Sequence, residues 1–415
     1  MTITLTFNIS YNSLMIDGKQ YTNDGNNKWH FDYDNIFYKK IEGGGGTGGT
    51  TTYMNSFQTY RDTLTSMKIE LKAQTSDTLN IDSNFIDGVF KDFINLTQFI
   101  ITDTNDNNIY FGKSTFSRCI ALNTFTIPSK NVINSTITLD DYMFNGCNSL
   151  ITITLSNRVQ IIPQGCFFAC LNLSTLIIDY TVNTINLLAF CLCTNLQTIN
   201  ISNNSNNIGI NFPSNLSTIN RYTFMLCKNI TQINIPSNIN TIDIFAFAGC
   251  IKLSTILFTN SIIPNIPIAC FFGCILLNNI ILPNTITDIG GLAFGGCTNL
   301  VSITFLNTSL ILSYTLNLGI FSGTNINYNS NIVLINYYNS IISQTTLQNY
   351  NKDYSNYISF AINNSNPSPD ENFIKILALQ IIQYYSIKDP KKFKNAMNDK
   401  QWLMYFFTYY NLQNK

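Results

Sequence analysis

The sequence predicts a repeat solenoid, a stack of similar coils around one extended core, with a strand-rich region before it and a helical tail behind it. Three observations carry the prediction. First, one phrase recurs: an aromatic, a cysteine three residues on, then apolar residues three and six further. It reads Phe116/Cys119/Leu122/Phe125, Phe144/Cys147/Leu150/Ile153, Phe167/Cys170/Leu173/Leu176, Phe190/Cys193/Leu196/Ile199, Phe224/Cys227/Ile230/Ile233, Phe247/Cys250/Leu253/Ile256, Phe271/Cys274/Leu277/Ile280 and Phe294/Cys297/Leu300/Ile303. Second, the compact copies start 23 or 24 residues apart, the length of a unit that cannot bury its apolar face alone. Third, worn copies flank the series, Phe90/Phe93/Leu96/Phe99 before it and Phe321/Thr324 after it, where an array must meet water.

Taken in order, residues 1–42 alternate apolar and polar positions, as in Ile3, Leu5, Phe7, Ile9 and again Trp29, Phe31, Tyr33, and read as a strand-rich N-terminal region. Residues 43–80 open on a glycine tract, Gly43 to Gly49 broken only by Thr47, which reads as a linker; the rest of that segment carries no assigned element. The array of about ten repeats occupies residues 81–328. Residues 329–415 begin rich in Asn, Tyr and Ser, pass Pro367 and Pro369, and end in two helices, about 370–386 and 390–411, with Pro390 at a first-turn position. Apolar stripes at helical spacing, Ile374, Leu377, Ile381, Tyr385 and then Phe393, Met397, Trp402, Phe406, suit this pair to close the exposed end of the stack.

Within one repeat the inward positions are Ile239, Ile242, Phe247, Cys250, Leu253, Ile256 and Phe258. From Leu253 the chain alternates as a strand does, so Ile256 and Phe258 face the core while Thr255 and Leu257 face out. Strands of successive repeats then stack in parallel about 4.8 Å apart. Pro128, Pro236 and Pro283 follow the strands and stop the pairing. A chain of 415 residues exceeds one compact core, a limit that an array escapes because each coil needs only its neighbours.

Charged residues make up 11 %, and 23 basic side chains balance 23 acidic ones. No long-range field steers such a chain to phosphate, so nucleic acid is not an expected partner. The longest apolar stretches near the C-terminus, 373–387 and 402–410, are interrupted by Lys375, Gln380 and Gln383 or are too short for a membrane span. Met1 to Ser10 has neither the basic region nor the apolar run of a secretory leader, so the expected location is intracellular. Eight of the eleven cysteines hold one repeat position and read as inward, reduced thiols rather than a disulfide framework.

Strings such as Phe247-Ala248-Gly249-Cys250-Ile251-Lys252-Leu253 and Ala293-Phe294-Gly295-Gly296-Cys297-Thr298-Asn299-Leu300 resemble the leucine-rich repeats of the BspA-like, Treponema type. The resemblance implies a curved solenoid with a parallel sheet on its concave face, used for protein binding or adhesion. Bacterial members are often surface proteins, which makes a cell-surface adhesin or antigen the alternative reading; the absence of a leader departs from those members.

If the alternation holds, the outward pairs of the concave sheet are Thr124/Thr126, Thr152/Thr154, Thr175/Ile177, Thr198/Asn200, Gln232/Asn234, Thr255/Leu257, Asn279/Ile281 and Ser302/Thr304. None is charged. Such a ribbon offers hydrogen-bonding groups and shape to a protein partner, although Thr and Ile also suit a sheet surface for its own sake. Insertions such as Ser202 to Asn215 are a second place for recognition.

No catalytic, cofactor or metal residue is expected. The single histidine, His30, sits in an aromatic strand pattern rather than beside a nucleophile. Gly43, Gly45 and Gly48 meet a dinucleotide spacing only because the tract is nearly all glycine. The close pairs Cys166/Cys170, Cys191/Cys193 and Cys270/Cys274 supply two ligands each where zinc needs four. Asp103, Asn105 and Asn107 begin a calcium loop that lacks its Gly and closing Glu. The expected function is therefore a non-enzymatic protein-interaction scaffold, with surface adhesion or an enzyme activity in the N-terminal region as alternatives.

Overall fold

The computed structural model describes residues 88–310 apart from 104–107, 130–134 and 203–208, the strands and adjoining residues between 2 and 81, and short stretches at 312, 320–321, 324–327 and 332–336. Behind each repeat's leucine the chain forms a short strand, as at Thr152–Thr154, Thr175–Ile178, Thr198–Ile201, Gln232–Pro236, Thr255–Thr259, Asn279–Leu282 and Ser302–Phe305. Pairing is parallel and in register, with Thr152, Thr175 and Thr198 in one row, Gln232 opposite Thr255 and Asn279 opposite Ser302. A second ladder of two-residue strands joins Ile161–Ile162 to Thr184–Ile185, Thr218–Ile219 to Thr241–Ile242 and Asn265–Ile266 to Asp288–Ile289.

A third wall is built from turns around each Phe. The amides of Tyr142, Phe144 and Gly146 donate to the carbonyls of Gln164, Cys166 and Phe168 in the next coil, at 2.9, 2.8 and 2.9 Å. Aiming alternate amides the same way requires left-handed backbone two residues before and after the ring, as at Tyr142 (φ 57), Leu188 (φ 59) and Leu192 (φ 64).

Inside, the rings from Phe90 to Phe321 stack as one column, with centroids 5.3–5.9 Å apart and planes within 14° of parallel. Strand ladders repeat at about 4.8 Å. Equivalent atoms therefore advance further on the ring side than on the strand side, and the stack bends with its strands on the concave face.

Beside the rings, each ladder thiol donates to the carbonyl of the Phe one coil earlier: Cys119 to Phe90, Cys147 to Phe116, Cys170 to Phe144, Cys193 to Phe167, Cys227 to Phe190, Cys250 to Phe224, Cys274 to Phe247 and Cys297 to Phe271, over 3.0–3.4 Å. Cysteine fits because it packs as a small apolar group yet brings a weak donor to a buried acceptor. All eleven cysteines are buried free thiols. Burial pushes the Cys170 thiol up to about 12 and raises its ladder neighbours as well. Thiol reagents at pH 8 should therefore leave the folded chain unlabelled and modify it only after denaturation; rapid labelling of the native protein would place these thiols at the surface. Because an unfolded thiol ionises near about 8.5 while folded Cys147, Cys170 and Cys193 do so only well above it, their contribution to stability is intact below that pH and lost as pH rises past it.

The ladders also continue N-terminally. Ser66–Leu71 pairs in parallel with Gln98–Asp103 on one side and Thr2–Asn8 on the other, and Leu79–Ile81 joins Ile109–Phe111 to Thr51–Met54. Residues 43–80, expected as a linker and an unassigned stretch, thus hold three strands; the glycine tract itself lies outside the described residues. Antiparallel strands finish both ladders, Ser13–Ile16 and Lys19–Thr22 on one, Phe37–Lys40 and Lys28–Trp29 on the other. At the other end, residues 332–336 form a helical turn that buries Val333 and Leu334 in the main core. The expected helices at 370–386 and 390–411 lie outside the described residues.

Candidate partner-binding face

The strand face carries the sixteen expected outward residues. In the strand Thr152–Thr154 both threonines are exposed while Ile153 between them is buried, and Asn279, Ile281, Ser302 and Thr304 repeat that pattern around Ile280 and Ile303. Thr124, Thr175, Ile177, Thr198, Asn200, Gln232, Asn234 and Thr255 are half-buried by their neighbours; Thr126 and Leu257 are exposed. Register brings like groups together: the Thr198 hydroxyl donates to that of Thr175 at 3.2 Å, and Thr259 donates to the Asn234 side-chain oxygen at 2.8 Å. Charge enters this surface beyond the predicted ladder, at Lys68, opposite Ile100, and at Glu70, opposite Thr102. The chemistry is graded along the stack. Hydroxyls dominate from Thr124 to Thr198, and aliphatics appear at Leu257 (44 % exposed) and Ile281 (59 % exposed).

The insertion between Phe190 and Phe224 divides the face. Within this stretch, expected as an insertion open to recognition, Ile210 bridges in parallel to Ile199 on one side and Ile233 on the other, forming an additional rung. Ile210 and Phe212 are buried, the latter edge-on to Phe224 at 6.0 Å. Gly209 makes the rung possible: its φ is +71, and a Cβ there would stand 2.4 Å from the Gln232 carbonyl oxygen. Because the ring column takes one step of 5.4 Å where the strand face takes two, the concave curve opens locally between Asn200 and Gln232.

Two features have no counterpart in the sequence reading. Arg158 pairs with Asp103 at 3.1 Å, both side chains fully buried, which also removes Asp103 from any calcium loop. A second apolar cluster lies outside the ring column. It is formed by residues flanking the Ala-Phe or Cys-Phe pairs, including Leu188 and Cys191, Phe245 and Ala248, Ala269 and Phe272. Its signal was legible as an apolar residue two places before successive Phe residues. No group of three His, Cys, Asp or Glu able to hold a metal occurs among the described residues, and no helix among them is long and apolar enough to cross a membrane. His30 lies outside the described residues.

Parallel rungs and a buried leucine, or Ile230 in one coil, three residues behind each ladder cysteine define a leucine-rich-repeat solenoid. The chain belongs to the family described as BspA type leucine rich repeat region, which matches it over residues 83–211, 209–327 and 265–367. Similar solved structures include a leucine rich cell surface protein of Faecalibacterium prausnitzii, 21 % identical over 78 % of this chain and 97 % of that one, with a TM-score of 0.39. A leucine-rich repeat protein of Bacteroides ovatus is 17 % identical over 80 % and 91 %, TM-score 0.41, and the leucine rich repeat protein of T. pallidum 15 % over 53 % and 89 %, TM-score 0.37. No curated protein matches the chain.

Proposed function

We propose that the protein is a non-enzymatic scaffold that binds a protein partner on its strand face. The observation that supports this reading is the outward ribbon itself, side chains in register over successive coils with no charge between Thr124 and Thr304. A surface of that kind recognises shape and hydrogen-bonding pattern, and it suits an uncharged segment of another protein better than phosphate. Replacing Thr152, Thr198 and Thr255 by Lys should leave the melting curve unchanged, since all three project from the sheet, and abolish capture of the native partner. Retained affinity would move the binding site off this face.

Family membership also supports a surface role. Antibody labelling of unpermeabilised native cells separates the two: an intracellular scaffold is not stained, an adhesin is.

A further inference from the structure

We infer that the strand face holds its partner on an apolar ridge formed by Leu257, Ile281 and Leu306, and that the segment seated there is extended, uncharged and aliphatic. The inference rests on the proposed binding face and names the part of it that anchors the partner.

The ridge follows from the alternation of three successive strands. Ile281 lies between buried Ile280 and Leu282, Leu257 follows buried Ile256, and Leu306 follows buried Phe305. All three therefore point outward, and they are 59 %, 44 % and 57 % exposed. The Leu306 amide donates to the Leu282 carbonyl at 3.1 Å, so the ladder runs one residue past the strand Ser302–Phe305 and Leu306 stays on its outer face. The strands Thr255–Thr259 and Asn279–Leu282 adjoin, which places the three side chains on consecutive rungs about 4.8 Å apart. Exposed aliphatics gathered on one sheet face mark an interaction site, and covering them supplies the hydrophobic gain that the hydroxyl-rich coils from Thr124 to Thr198 lack.

The surroundings of the ridge select its occupant. Asn234 stands opposite Leu257, and its Oδ1 accepts the Thr259 hydroxyl at 2.8 Å, which leaves Nδ2 as the group it presents. Asn279, exposed on the same face, stands two residues before Ile281. Carboxamide donors beside aliphatic side chains match a segment whose main-chain carbonyls lie free beside its own side chains. An extended chain has such carbonyls along its edges, whereas a helix has committed its own to internal amides. Alternate side chains of an extended segment fall on one face about 7 Å apart, within the width of the ridge. None of the outward residues on these three strands is charged, so a charged side chain seated there would lose water without gaining an ionic partner.

The test pans a random library of short displayed peptides against the full chain and measures a selected, synthesised peptide by fluorescence anisotropy. The expected peptide is uncharged on the residues it needs for binding, with aliphatic side chains at alternate positions. Changing Leu257, Ile281 and Leu306 together to Ser, with the melting curve retained because all three are exposed, should weaken it about tenfold or more. Replacing peptide residues by aminoisobutyrate, which favours helix, should also weaken it. No selected peptide, an obligatory charged residue, tighter binding with aminoisobutyrate, or equal affinity for the Ser variant would each overturn the inference. A peptide lost to the Thr152, Thr198 and Thr255 to Lys variant but retained by the Ser variant would remove the anchor and keep the binding face; one retained by both would remove both.

Discussion

Phe247→Ala should destabilise the array by about 3–5 kcal/mol, the cost of removing a buried ring and leaving its cavity. The ring is fully buried and stacks on Phe224 at 5.3 Å and on Phe271 at 5.6 Å, so its loss removes aromatic contact on both sides. Each coil is supported only by its neighbours, and a weak coil in the middle uncouples the two halves. The expected signature in urea is a lower midpoint with two separable transitions. Phe90→Ala is the useful comparison, because that ring, also buried, begins the column and has a repeat ring stacked on one side only; its cost should be similar locally without splitting the transition. A change under about 1 kcal/mol at Phe247 would mean that the rings are not the core.

Arg158→Ala should cost about as much, 3–5 kcal/mol, by a different route: it leaves the Asp103 carboxylate buried without its cation. The pair bridges the strand Gln98–Asp103 and the turn after Thr152–Thr154, two coils apart, at full burial of both side chains. Burial makes breaking the pair costly, yet it makes the pair itself a weak source of stability, since desolvating both charges offsets much of their attraction. Arg158→Met combined with Asp103→Leu should therefore recover most of what Arg158→Ala loses. A double variant as unstable as the single one would show that the pair contributes net stability.

The periodic part of this fold was legible because every Phe, Cys and Leu of the phrase meets the same buried surroundings in each coil, so one physical demand is written into the sequence many times. The outward ribbon followed from alternation alone. What escaped lacks repetition. The Arg158–Asp103 pair joins positions 55 residues apart, once. The rung at Ile210 is a lone apolar residue beyond an asparagine-rich run, which reads as loop by composition. Strands such as Ile161–Ile162 are too short for any periodicity, and Thr51–Met54, Ser66–Leu71 and Leu79–Ile81 continue the ladders without the Phe-Cys phrase that marks them elsewhere.

The antiparallel hairpins at the start of both ladders bear on the protein's solubility. A stack of in-register parallel rungs is a template for fibre growth, because the last rung of one molecule matches the first rung of the next. Chain direction reverses at Ser13–Ile16 and Phe37–Lys40 and reverses again at Lys19–Thr22 and Lys28–Trp29, so the outermost strands run parallel to the array, and it is their shortness and their leading lysines that blunt end-on growth.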